Sequence, residues 1–183
     1  MSNSTTFPRL ARPSRIMAQL SLIGAVLTVL MTIAIFVFPD TMKSIGAFEI
    51  HHAGADITSA IPFGYRIAAL VVEMIPTGLL VWTLLELRRL FLFYARGEVF
   101  TAVALRALNR VAMLLFWQVA VAFVAEAPTS VLLTWANPPG HRELSLDLSS
   151  HDVAMLFVAG VAFVIARVMA EARRMADENE SFV

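Results

Sequence analysis

The sequence predicts an all-α membrane protein: a four-transmembrane-helix bundle forming one domain over residues 1–183, with both termini cytoplasmic and room for a small β element in the outer loops. Three observations predict it. Hydrophobic residues make up 58% of the chain and charged residues 15%, a balance outside that of ordinary soluble domains. Four apolar runs, Ile16–Phe38, Ile67–Leu85, Val111–Trp135 and Val153–Ala170, each approach the roughly 20 residues that cross a ~30 Å hydrocarbon core at ~1.5 Å per residue. The basic residues are also sided. Arg9, Arg12, Arg15, Arg88, Arg89, Arg96, Arg106, Arg110, Arg167, Arg173 and Arg174 fall on the amino-terminal side of the membrane, against Lys43 and Arg142 opposite, with Arg66 at the border. Positive charge is retained in the cytoplasm, which sets the orientation.

The spans must be helical, because a lone apolar strand would leave its backbone groups unpaired in lipid. The first helix is expected over about 16–38, after a polar amino terminus, "MSNSTTFPRLARPSR", expected to be loosely ordered. Its apolar stretch exceeds the roughly 7 to 15 residues of a signal-peptide core, and Ala53 to Ala55 lies far downstream for a cleavage site, so it is read as a retained span. The second helix is expected over about 62–95. It continues past the membrane surface because Glu86 to Ala95 contains no breaker and has Leu87, Leu90, Phe91 and Tyr94 at helical spacing.

Gly97 then ends that helix in the left-handed conformation of a C-cap, with Arg88, Arg89 and Arg96 near the negative end of the helix dipole. Thr101 caps a third helix, expected over about 101–135, with Phe100 and Leu105 placed as a hydrophobic staple. Asn137-Pro138-Pro139-Gly140 releases the chain into an outer loop, "HRELSLDLSS", whose alternating Leu144, Leu146 and Leu148 suit a half-buried strand paired with the first loop around "FEIHHAGADIT". A flexible loop is the alternative. The fourth helix, over about 151–176, carries Ala162, Ala166 and Ala170, a small-residue stripe for internal packing, with an oligomer or partner contact as the alternative.

At the turn the chain resembles a known family. "LRRLFLFYARGEVFT" at Leu87 to Thr101, "LRAL" at Leu105 to Leu108 and the tail "ARVMAEARRMADENESFV" resemble the bacterial membrane-protein family catalogued as domain of unknown function 2975. Members show an arginine-rich helix end, a Tyr-x-x-Gly-Glu-x-Phe-Thr turn and a charged carboxyl end. Here the last residues, Ser181-Phe182-Val183, match more loosely. The resemblance implies a four-helix bacterial inner-membrane protein without an established activity, often encoded beside a small helix-turn-helix DNA-binding regulator. It implies no catalytic residue.

Ionisable residues inside a bilayer are costly and invite a functional reading. Arg66, Glu73 and Glu126 form the candidate intramembrane polar cluster. Arg66 and Glu73 lie two turns apart on one face, and Pro76 and Pro128 loosen the helices beside the carboxylates. The cluster reads either as a proton or cation site or, more economically, as a packing ion pair or hydrogen-bonded glue between helices. His51, His52, His141 and His151 share the outer side with acidic residues, but His-His-x-x-x-Asp is not a strong metal spacing. With no cysteine there is no disulfide or thiolate chemistry.

No phosphate-binding glycine loop, dinucleotide fingerprint, zinc-protease motif or nucleophile turn is present. The expectation is therefore a non-enzymatic membrane protein with no cofactor, no metal and no direct contact to nucleic acid. Its partner-docking hinge comprises Arg88, Arg89, Tyr94, Gly97, Glu98, Phe100 and Thr101 together with the carboxyl-terminal extension. The expected partners are the lipid bilayer and a small helix-turn-helix regulator or another membrane protein, including a second copy. A small ion-coupled transporter using the intramembrane glutamates and an accessory subunit of a larger membrane complex are the rival readings.

Overall fold

The computed structural model describes residues 8–44, 51–52, 55–138, 142, 144–146 and 150–180. Along the chain run α1 (Pro8–Val37), a short α2 (Pro39–Ser44), two-residue strands β1 (His51–His52) and β2 (Ala55–Asp56), then α3 (Phe63–Ala95), α4 (Ala102–Thr134) and α5 (Ser150–Glu180). The four long helices are each long and apolar enough to cross a membrane. This is a multi-pass, all-helical membrane architecture.

The burial pattern explains why these residues form these helices. In α1 the exposed side chains include Ile16, Leu20, Ile23, Leu27 and Leu30, whereas Ser14, Ala18, Ser21 and Ala25 are buried. Large apolar groups thus face outward and small ones inward, the reverse of a soluble bundle. Lipid solvates the outer face at no cost, and small inward residues let helix backbones approach closely. A hydroxyl on such a face needs an acceptor, and Ser21 donates to the Met17 carbonyl one turn earlier at 2.8 Å.

Two boundaries and one short element differ from the sequence expectation. The first helix begins at Pro8 rather than near Ile16, because a proline in the first turn removes only an N–H that has no helical partner. The short α2 was not foreseen. It starts at the buried Pro39 with Asp40 in its first turn, a favourable sign at the helix amino terminus. The fifth helix runs to Glu180 instead of about 176. Arg174 meets Glu171 at 2.6 Å and Glu178 at 3.7 Å, neighbouring-turn pairs that stabilise an exposed helix end.

The small β element lies within the first loop, where β1 and β2 pair antiparallel, His51 opposite Asp56 and His52 opposite Ala55. The strand expected at "HRELSLDLSS" is corrected among the described residues. Residues 144–146 have no strand structure and Leu144 and Leu146 are exposed. The Ser145 N–H donates to Ser130 Oγ at 3.1 Å, so this backbone bonds to a helix side chain instead of a strand partner.

The helices contribute to two compact units. In one, comprising Met1–Ala25, Trp82–Phe116 and Ala154–Val183, the core is Leu90, Ala104 and Ala107, packed against by Leu87, Phe93, Tyr94 and Leu108. Here α5 buries Ala159 and Ala166 and half-buries Ala162, leaving Ala170 exposed. The expected stripe of Ala162, Ala166 and Ala170 is corrected accordingly. Steps of four residues drift about 40° around a 3.6-residue helix, whereas alternating steps of three and four hold one face.

In the other unit, Val26–Val81 and Trp117–Val153, Phe36, Ile57, Ala69 and Leu133 form the core. Thr129 and Ser130 are fully buried beside it in sequence. Within each unit α3 and α4 run antiparallel: Glu86 bonds Arg110 while Leu90 shares a core with Ala104 and Ala107, and Glu73 bonds Thr129 while Ala69 shares a core with Leu133.

Candidate functional site

The chain between α3 and α4 is a tight elbow closed by its own backbone. Gly97 has φ 81°, a left-handed conformation that glycine adopts without the steric cost a Cβ would add. The Gly97 N–H donates to Tyr94 O and the Glu98 N–H to Phe93 O, both at 3.0 Å. Together these are the paired hydrogen bonds of a Schellman C-cap. Thr101 caps the next helix: its Oγ1 accepts from the Ala104 N–H at 3.2 Å and donates to the Glu98 carbonyl at 3.3 Å.

Tyr94 packs on the Leu90, Ala104 and Ala107 core, so its ring holds the elbow as well as bordering its surface. Glu98 contributes backbone at both ends of the turn. Arg96 lies over the Phe93 ring, 6.0 Å from its centre. The expected staple is not a buried contact: Leu105 is buried, but Phe100 stays 61% exposed. Instead the Phe100 carbonyl accepts a 2.7 Å hydrogen bond from Arg173 Nη1 of α5. The elbow and the carboxyl-terminal extension are therefore in direct contact.

One residue of this region was missed by sequence reasoning. Glu86 is buried, its side chain 5% exposed, and its Oε1 accepts from Arg89 Nη1 and Arg110 Nη1 at 3.0 Å each. The bond to Arg89 is a neighbouring-turn pair within α3, and the bond to Arg110 joins α3 to α4. The i, i+3 spacing of Glu86 and Arg89 was available as a signal, whereas Arg110 becomes a partner only when the hairpin closes. Arg88, on the same turn, is half-buried.

The candidate intramembrane residues separate into two settings. Arg66 is buried at the start of α3 and donates from Nη1 to the Phe36 and Val37 carbonyls at 3.3 and 3.4 Å. These are the last carbonyls of α1, where a cation satisfies unpaired acceptors and the negative end of the helix dipole. Its guanidinium also lies 5.4 Å from the Phe63 ring centre, while Nε is buried without a hydrogen bond. Glu73 is buried one turn before Pro76 and accepts from Thr129 Oγ1 at 2.8 Å. Glu126 is half-buried, three residues before Thr129 on α4.

Nearby hydroxyls extend this polar face. Thr77 lies 3.3 Å from Thr32, and Thr134 donates to the Ser130 carbonyl at 2.8 Å. Each proline leaves a helical carbonyl four residues back without its usual donor, that of Val72 for Pro76 and that of Val124 for Pro128. This arrangement can hold a carboxylate inside an apolar envelope through hydroxyl donors, chemistry suited to a proton or to interhelical adhesion.

Among the described residues no group of three or more histidine, cysteine, aspartate or glutamate side chains could hold a metal. His141, the side chains of His51, His52, Asp56 and His151, and the terminal Ser181-Phe182-Val183 lie outside the described residues.

A model of the family described as Protein of unknown function (DUF2975) matches residues 6–183, nearly the whole chain. Comparison with curated proteins and with solved structures returns no match.

Proposed function

The chain belongs to the DUF2975 family, whose function is unknown, and from that premise we propose that it is a non-enzymatic docking protein of the bacterial inner membrane. In this reading both termini and the elbow face the cytoplasm, and the elbow with the end of α5 presents one surface to a protein partner. The observation that carries it is Phe100: an aromatic ring left 61% exposed on a turn whose backbone is fixed by Gly97, Thr101 and Arg173. A rigid turn presents its side chains without the entropy cost of ordering a loop on binding, and exposed aromatics flanked by arginine are favoured contact residues. The family resemblance points to a small helix-turn-helix regulator as that partner.

Site-specific photocrosslinking in native membranes tests the reading. A photoreactive residue at Phe100 should capture a discrete cytoplasmic protein, and R88E/R89E should reduce the yield. The same probe at Phe157, on the exposed apolar face of α5, should not capture it. Absence of any protein adduct at position 100, or an equal adduct at both positions, would sink the docking idea.

A second reading is supported by the hydrogen bond from Thr129 to the buried Glu73. A carboxylate at membrane depth that accepts from a hydroxyl can carry a proton or cation. Proteoliposome flux should then fall when Glu73→Gln and Glu126→Gln are introduced together; flux unchanged by the pair removes that reading. The accessory-subunit reading draws no support from the alanine face of α5, because Ala159 and Ala166 are already buried within the chain.

A further inference from the structure

Glu86 and Arg110 form, with the hinge residue Arg89, a cluster whose buried carboxylate the docking reading leaves unused. A buried carboxylate would ordinarily be matched by one cation. Here a single oxygen, Glu86 Oε1, holds two guanidinium groups at 3.0 Å each, so the triad carries a formal charge of +1. Both arginines remain largely outside the protein, their side chains 67% and 54% exposed. Each contributes Nη1 to Glu86, and a guanidinium has five N–H donors in a planar fork suited to the oxygens of a phosphate. Two such forks fixed around one carboxylate make a preorganised anion receptor, since neither arginine must be ordered when the anion arrives.

The depth of the cluster identifies the anion. Helix α3 spans 33 residues, about 50 Å, against a hydrocarbon core of ~30 Å, so roughly 20 Å of it must lie outside the core. Trp82 is exposed on this helix, and exposed tryptophans mark the boundary between acyl chains and headgroups. Glu86 and Arg89 follow Trp82 by four and seven residues, about 6 and 10 Å along the axis. That interval is the headgroup layer. Arg89 leans back toward the bilayer, because helical side chains tilt toward the helix amino terminus.

We propose that Arg89 and Arg110, positioned by Glu86, bind the phosphate of an anionic lipid headgroup. The lipid caps the outer side of the α3–α4 pairing and fixes how far the elbow stands from the bilayer. This site differs from the generic attraction of basic residues to an acidic membrane, because it depends on a negatively charged residue to hold its two cations in place.

That dependence supplies the test. Purified protein in mild detergent is titrated with phosphatidylglycerol, phosphatidylcholine or inorganic phosphate, and thermal stability and lipid retention by native mass spectrometry are followed. Phosphatidylglycerol should stabilise and remain bound, with phosphatidylcholine and phosphate at equal concentration doing neither. R89Q and R110Q, both at largely exposed side chains, should each weaken phosphatidylglycerol retention about tenfold through loss of a charge-assisted contact. E86Q is the decisive variant: it raises net charge by one, so diffuse attraction predicts tighter lipid binding, whereas a positioned pair predicts weaker binding. Where E86Q lowers stability too far to handle, R89K/R110K preserves charge without the fork and should still lose retention. Equal retention in wild type and R89Q, stronger retention in E86Q or full retention in R89K/R110K overturns the proposal. Reproduction of the stabilisation by inorganic phosphate or by phosphatidylcholine does the same.

Discussion

Each of the two units handles a buried carboxylate in its own way. In the unit containing the elbow, Glu86 meets two arginines whose charged heads stay largely exposed. In the other unit, Glu73 meets the hydroxyl of Thr129, and the nearest buried cation in the sequence, Arg66, is bound to the carbonyls ending α1. A carboxylate bonded by two guanidinium groups is held in place by charge-assisted hydrogen bonds. One that accepts from a hydroxyl is held across the helix pair by an uncharged donor, a weaker bond than one to a guanidinium. The first arrangement fixes two cations near the end of α3 and the start of α4, and the second joins α3 to α4 through a neutral donor.

The most severe way to break this comparison is to strip the cations from Glu86. R89L/R110L leaves a buried carboxylate without a counter-charge and should cost on the order of 3 kcal/mol in unfolding free energy. Reversible unfolding in mixed detergent micelles measures it. A loss under about 0.5 kcal/mol would show that Glu86 reaches water once the arginines are gone, and would remove the distinction between the units.

Next in size is Gly97→Val. The φ of 81° places a β-branched residue in the left-handed region, at about 2 kcal/mol. Gly97→Asn should recover much of that loss, because asparagine tolerates the conformation. The same unfolding assay reads both. If valine and asparagine cost the same, the turn relaxes to another conformation and does not act as a rigid platform for Phe100.

Thr129→Val sharpens the other side of the comparison. It removes the hydroxyl from Glu73 while keeping the shape, and interhelical hydrogen bonds in membranes are worth about 0.6 to 1.7 kcal/mol. A loss within that range fits adhesion through one neutral hydrogen bond. A loss as large as that of R89L/R110L would mean that the Thr129 hydroxyl carries more than one interhelical hydrogen bond's worth of stability, and would remove the distinction between the units.

These cases also show what the sequence could reveal. The four spans, Gly97 as a C-cap and Thr101 as an N-cap were legible because each depends on residues within one or two turns: apolar run length, a glycine after the last helical residue, a threonine before the next. The partnerships of Glu86 with Arg110, Glu73 with Thr129 and Arg66 with the end of α1 were not, since each joins residues 24 to 56 positions apart. Phe100 failed as a staple for a related reason. The spacing to Leu105 was correct, but the bond from Arg173, 73 positions away, engages the Phe100 backbone where local pattern carries no information.

The smallest expected effect concerns a carboxylate outside both clusters. Asp40, in α2, is fully exposed, and its carboxyl is held below the ordinary value of 3.8 chiefly by the Ser59 hydroxyl, then by the Ser59 N–H, 3.3 Å from Oδ1. Because the folded state favours the ionised form, the stabilisation is complete above pH 3.8 and disappears as pH falls through the lower folded value. Stability should thus be insensitive to this group between neutrality and pH 5. In nuclear magnetic resonance of the protein in micelles, the Ser59 amide should titrate with a midpoint below 3.8 in the wild type and remain flat in Asp40→Asn. A midpoint at or above 3.8 would mean that Ser59 does not favour the ionised carboxyl. Exposure keeps the effect small, since water competes for every bond the carboxyl makes. Set beside Glu86 and Glu73, Asp40 supplies the solvated limit: a carboxyl bonded by a hydroxyl and an N–H as Glu73 is bonded by a hydroxyl, but exposed, so that losing the partner is felt locally and not by the whole fold.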